Sequence, residues 1–190
     1  DHMHIICKYL NFEDIQNLII ATKKNIKISN TNLILKNEDE YIFFLKNQYL
    51  FKSCKCVRLH HINKENIKYI DKIIFSLFKD TIFEGRFETH IPKNDILHNF
   101  RHIIVATTYK TYEISYINNL HNLITLSIFN NKIKIIKEIP NNLTYLNLTW
   151  NNIEKIENLS NNLTSLNLSN NYIKKIENLP NNLTHLNLSY

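Results

Sequence analysis

Apolar residues recur through the second half of the chain with a period of 20. Residues 121–140 read HNLITLSIFNNKIKIIKEIP, 141–160 NNLTYLNLTWNNIEKIENLS, 161–180 NNLTSLNLSNNYIKKIENLP and 181–190 NNLTHLNLSY. Positions 3, 6, 8, 13, 16 and 19 of each unit are apolar and position 11 is Asn: Leu143, Leu146, Leu148, Ile153, Ile156, Leu159 and Asn151 in the cleanest copy. Positions 6 and 8 alternate with polar neighbours, the period of a half-buried strand. The rest of each unit, apolar at every third position and closed by Pro140 or Pro180, suits an extended or one-turn 3₁₀ return path.

Upstream the spacing continues in weaker form. Phe100, Ile103, Val105 and Thr108 fit it, followed by Ile114, Ile117 and Leu120. Cys54, Val57, Leu59 and Ile62 fit again before Ile67, Ile70 and Ile73, with Phe78, Thr81 and Phe83 between the two sets. The pattern predicts seven strands, near 56–60, 80–84, 102–106, 125–129, 145–149, 165–169 and 185–189. The first fifty residues have a helical rhythm instead. Asn11 caps a predicted helix over 13–24, with Ile15, Leu18, Ile19 and Thr22 on one face, and a second helix is predicted over 37–51.

LTYLNLTWNNI, LTSLNLSNNYI and LITLSIFNNKI resemble the leucine-rich repeat consensus LxxLxLxxNxL. The resemblance implies an α/β solenoid of short 20–25-residue repeats, about seven of them over 54–190, with a parallel sheet on its concave face. FETHIP at 87–92 resembles the FNIP repeats of amoebal and giant-virus proteins. Residues 54–120 are then the irregular part of the array and 121–190 the regular part, while 1–53 form a small α-helical cap over the core that a solenoid exposes at its end. Within that cap, IICKYLNFEDIQNLIIATKKN resembles the latter part of an F-box. This implies an alternative role as a substrate adaptor docking on a ubiquitin-ligase subunit.

Composition narrows the chemistry. The single glycine, Gly85, excludes phosphate-cradling loops and nucleophile elbows, which need several. The net charge of +6 is dispersed, with 7 basic and 6 acidic side chains in 1–53, 10 and 7 in 54–120, and 6 and 4 in 121–190. No basic stripe forms, so nucleic acid is not an expected partner. No apolar run reaches the roughly 18 residues of a membrane span. Three cysteines, an odd count with Cys54 and Cys56 close together, fit a reducing, intracellular setting. The Asn, Ile and Lys bias is that of an AT-rich coding sequence, as in a giant DNA virus, and Asp1-His2 reads as a cloning remnant ahead of Met3.

Candidate sites follow from these limits. Asn131, Asn151 and Asn171 recur at position 11, where a buried amide satisfies inward-facing backbone groups, so their expected role is structural. Cys54, Cys56, His60 and His61 have zinc-type side chains, but Cys56 and His60 lie about 13 Å apart on a strand. Asp80 and Glu84 are separated similarly. No metal, cofactor or catalytic group is expected, and the protein reads as a non-enzymatic interaction scaffold. Its expected binding residues, on the inner face of the sheet, are Phe129, Tyr145, Asn147, Trp150, Asn167, His185, Asn187 and Tyr190. Seven strands about 4.8 Å apart and five residues wide present about 460 Å², below the roughly 800 Å² of a standard interface, so the expected partner is peptide-sized. The N-x-S/T sequons at Asn142, Asn147, Asn158, Asn162, Asn167, Asn182 and Asn187 would obstruct that face if glycosylated, which also favours an intracellular protein. Tyr190 falls half way through a unit, so either a longer array or a homodimer through the last repeat is expected.

Overall fold

The computed structural model describes residues 3–6, 13, 14, 17, 26–29, 32–51, 54–63, 65, 67–73, 75, 78, 82–87, 95–106, 117–136 and 138–190. The chain forms two compact units, Asp1–Gly85 and Arg86–Tyr190.

In the first unit β1 (Met3–Ile6) pairs in parallel with β2 (Ile26–Ser29) as a separate two-stranded sheet. β3 (Asn32–Leu35) lies parallel to β4 (Cys56–Ile62), with Leu33 opposite Val57 and Leu35 opposite Leu59, and all four of these side chains are buried. β5 (Ile82–Phe87) is the neighbour of β4. Between β3 and β4 runs helix α1 (Glu38–Lys46). Its start is set by Asn37, whose Oδ1 accepts from the Glu40 N–H at 3.0 Å. Glu38, Asp39 and Glu40 sit on the positive end of the helix dipole. The helix predicted over 37–51 breaks at Asn47. There Nδ2 donates to the Phe43 carbonyl at 2.8 Å, and a short α2 (Gln48–Phe51) follows. Phe44 packs on Phe51 and Phe78, and Phe78 on Phe83, with ring centroids 5.5, 5.7 and 5.5 Å apart. Helix α3 (Ile67–Ile70) adds Tyr69 and Ile70 to the core.

The second unit carries β6 (Phe100–Ala106), β7 (Thr125–Phe129), two-residue β8 (Ile135–Ile136), β9 (Tyr145–Asn147), two-residue β10 (Lys155–Ile156), β11 (Ser165–Asn167) and β12 (His185–Asn187). β6, β7, β9, β11 and β12 pair in that order, all in parallel, and Leu126, Leu146, Leu166 and Leu186 stand opposite one another from strand to strand. β8 pairs with β10. Leu143, Leu146, Leu148 and Ile153 are fully buried, each worth roughly 1.5–3 kcal/mol of transfer from water. Short turns return the chain to the next strand, with the carbonyls of Pro140, Ser160 and Pro180 accepting from the N–H of Leu143, Leu163 and Leu183 at 3.1 Å.

The expected α/β solenoid with a small helical cap is corrected here. The main sheet holds eight parallel strands with few helices, a β/α-type arrangement. The added strand, β3, arises inside the segment expected to be a helical cap, because Leu33, Ile34 and Leu35 form an apolar run that finds a partner in β4. A 20-residue period leaves too few residues for a helix on the return path, where the described residues hold β8 and β10, and the 3₁₀ turn Ile117–Asn119 precedes the regular units. Of the helix predicted over 13–24, Glu13, Asp14 and Asn17 are described, and they are helical and exposed; the F-box-like stretch around it opens with Ile5 and Ile6, which lie in strand β1 rather than in a helix. The remainder of both, FETHIP beyond Phe87, Asp80 and the Glu84 side chain lie outside the described residues. Among the described residues no helix is long and apolar enough to cross a membrane.

Candidate functional site

The bend after each strand is built on asparagine. Asn130, Trp150 and Asn170, at position 10 of successive units, adopt left-handed backbone with φ of 58°, 58° and 56°. Asn tolerates this region better than other residues with a side chain, and Trp does not, at a cost of about 1–2 kcal/mol for an ordinary L-residue. The following asparagines lock the bend from inside. Asn151 Nδ2 donates to the carbonyls of Ile128 and Leu148 at 2.9 Å, and its Oδ1 accepts from the Ile133 N–H at 3.3 Å. One unit along, Asn171 Nδ2 donates to Leu148 and Leu168 at 2.9 Å and Oδ1 accepts from Ile153 at 3.0 Å. Asn131 Nδ2 donates to the Phe129 carbonyl at 2.9 Å.

Asn147, Asn167 and Asn187 turn their Oδ1 back on their own chain, accepting from the backbone N–H and hydroxyl of Thr149, Ser169 and Ser189. Tyr145 and His185 start strands on the exposed side, where His185 Nδ1 lies 2.9 Å from Thr184 Oγ1. Phe129 is half-buried at the end of β7.

Of the candidate binding residues, Trp150 and Tyr190 come together on one open groove of about 340 Å³. Asn130, Lys132, Asn152, Asn170 and Tyr172 complete its outer lining, and Asn131, Asn151 and Asn171 form its floor. Phe129, Tyr145, His185 and the three asparagines at position 7 do not line it. Trp150 and Tyr172 are each 62% exposed and Tyr190 is 89% exposed. Lys132 is the one charged residue lining the groove. The ion pairs Lys155–Glu157 and Lys175–Glu177 stand outside this lining, and Glu157 raises the affinity of Lys155 for its proton.

Two features carry only a weak signal in the hydropathy pattern. Tyr172, Asn130, Asn152 and Asn170 flank position 11, and the signal that could have found them is the polar and aromatic variation on either side of a fixed Asn. A second amide ladder runs through position 2, where Asn142, Asn162 and Asn182 donate to the carbonyls of His121, Asn141 and Asn161 at 2.6–2.9 Å. Thr164 and Thr184 add hydroxyl bonds of 3.0 Å to Thr144 and Thr164.

Cys54 and Cys56 are buried, and among the described residues no three of His, Cys, Asp and Glu gather as a metal site. The chain matches no protein-family model and no curated protein.

Proposed function

We propose that the protein is a non-enzymatic binding module that holds a protein or peptide partner in the groove at Trp150. The observation that carries this is the exposed set Trp150, Tyr172 and Tyr190 beside the amides of Asn130, Asn152 and Asn170. The side-chain amides of these three residues make no hydrogen bond among the described residues, so they remain available to a ligand backbone. Rigid aromatic anchors of this kind carry much of the energy of recognition surfaces, and uncharged amides beside them supply adaptable hydrogen bonds.

The module is read as intracellular. A glycan on Asn142, Asn162 or Asn182 would sit on an Nδ2 that already bonds to the adjacent turn.

Selection of a random peptide library on the purified protein tests the function. Enriched peptides should bind wild type at least tenfold more tightly than Trp150→Asn. Recovery of no peptide that depends on Trp150 would refute the proposal.

A further inference from the structure

We propose that the segment seated in this groove is a polyproline II stretch of the partner, with one proline ring on Trp150 and another, one turn along, on Tyr190. The inference rests on the peptide-binding reading above and names the partner's chemistry.

The spacing carries it. The Trp150 N–H donates to the Ser169 carbonyl at 3.1 Å and the Asn170 N–H to Ser189 at 2.8 Å, so the parallel ladder continues through the bend. Positions 150, 170 and 190 therefore ride successive rungs. Rungs are about 4.8 Å apart, which puts Trp150 and Tyr190 about 9.6 Å apart along the ladder. A polyproline II helix rises about 3.1 Å per residue with three residues per turn, so equivalent residues repeat about every 9.3 Å. An extended strand repeats a face about every 6.7 Å and an α-helix turns every 5.4 Å or so, and neither repeat equals the rung separation of positions 150 and 190.

The polar lining agrees. A polyproline II segment makes no internal hydrogen bonds and presents its carbonyls as acceptors. The groove offers the amides of Asn130, Asn152 and Asn170, the indole N–H of Trp150 and the ammonium of Lys132, and no carboxylate lines it. Donor excess on the protein thus meets acceptor excess on the ligand. Asn170 stands on the rung between the two rings, placed to donate once per turn. A ligand already ordered in solution loses little entropy on docking, which suits a shallow site of this size.

Trp150 is the sole tryptophan, so its emission reports occupancy directly. The full chain is titrated with acetyl-decaproline amide and with a Gly-Ser peptide of the same length. Decaproline should shift Trp150 emission saturably and bind at least tenfold more tightly than the Gly-Ser peptide. Tyr190→Ala and Asn170→Gly, the latter keeping the left-handed backbone accessible, should each weaken it about tenfold with unchanged circular dichroism. An equal or absent response to the two peptides overturns the proposal. If selected library peptides without proline still bind through Trp150, only this inference falls; if none binds, the function proposed above falls with it.

Discussion

Replacing Asn151 by Ala isolates what the amide ladder contributes. The side chain is buried, and its loss removes the donors to Ile128 and Leu148 and the acceptor for Ile133. These losses are unequal, because the Leu148 carbonyl keeps the bond from Asn171. The Ile133 N–H and the Ile128 carbonyl lose the amide outright. An unsatisfied buried polar group costs about 1–3 kcal/mol, and with a carbonyl at the low end the sum is about 3 kcal/mol. With a urea m-value of about 2 kcal/mol/M for a small protein, the midpoint should fall by about 1.5 M. The assay is urea unfolding followed by circular dichroism and by Trp150 emission. Asn152→Ala is the control: this neighbouring side-chain amide makes no hydrogen bond among the described residues, and its removal should change stability by less than about 0.5 kcal/mol. Equal midpoint shifts in the two variants would refute the reasoning, because both lose the same side chain and differ only in the bonds assigned to it.

Leu166 is 1% exposed and Leu179 39% exposed, so in the same urea assay Leu166→Ala should cost about 2–5 kcal/mol and Leu179→Ala much less; similar losses would contradict the core assignment. The Tyr69 hydroxyl donates to Glu38 Oε1, and that bond, then burial, holds the phenol above its ordinary pKa of 10.0. The native state therefore keeps the proton more tightly than the unfolded state, and the resulting stability is intact below the ordinary pKa and lost as pH climbs through the raised value. Denaturant midpoints measured against alkaline pH should fall more steeply for wild type than for Tyr69→Phe, and parallel curves would exclude the linkage. Trp150→Asn eases the left-handed backbone by about 1–2 kcal/mol and gives up about as much from the covered part of the side chain, so it should leave stability within about 1 kcal/mol while abolishing peptide binding; thermal melts and library peptides measure the two effects separately.

Which strands were legible follows from how they are buried. β7, β9 and β11 have one face in the core, so Leu126, Leu146 and Leu166 alternate with Thr125, Tyr145 and Ser165 and announce themselves. β3 escaped because its Leu33-Ile34-Leu35 run carries no alternation, and the partner that makes it a strand lies 24 residues away in β4, as the pairing of Leu33 with Val57 shows. The helix break at Asn47 depends on a side-chain capture of the Phe43 carbonyl that propensity does not encode. At the groove, Trp150 and Tyr190 were readable by register, whereas Tyr172 was not. Positions 10 and 12 share a groove only because the backbone at position 10 is left-handed, and dihedral angles are not visible in a hydropathy pattern.

With one glycine in the chain, asparagine takes over the left-handed bends at 130, 158, 170 and 178 and fills the buried ladder at 131, 151 and 171. Trp150 breaks that economy at the position where its sister residues are asparagine. Its backbone costs about 1–2 kcal/mol, which the part of the side chain covered at 62% exposure offsets, at about 95 Å² and about 25 cal/mol per Å². A tryptophan buries up to about 250 Å², so roughly 150 Å² remains available, worth about 4 kcal/mol at about 25 cal/mol per Å². That exceeds the backbone cost, and it is available only to a molecule that lies across the ring. The same departure from the repeat that leaves the stability of the free chain nearly unchanged therefore supplies a driving force for binding, which is why affinity should fall without a matching change in stability when Trp150 becomes asparagine.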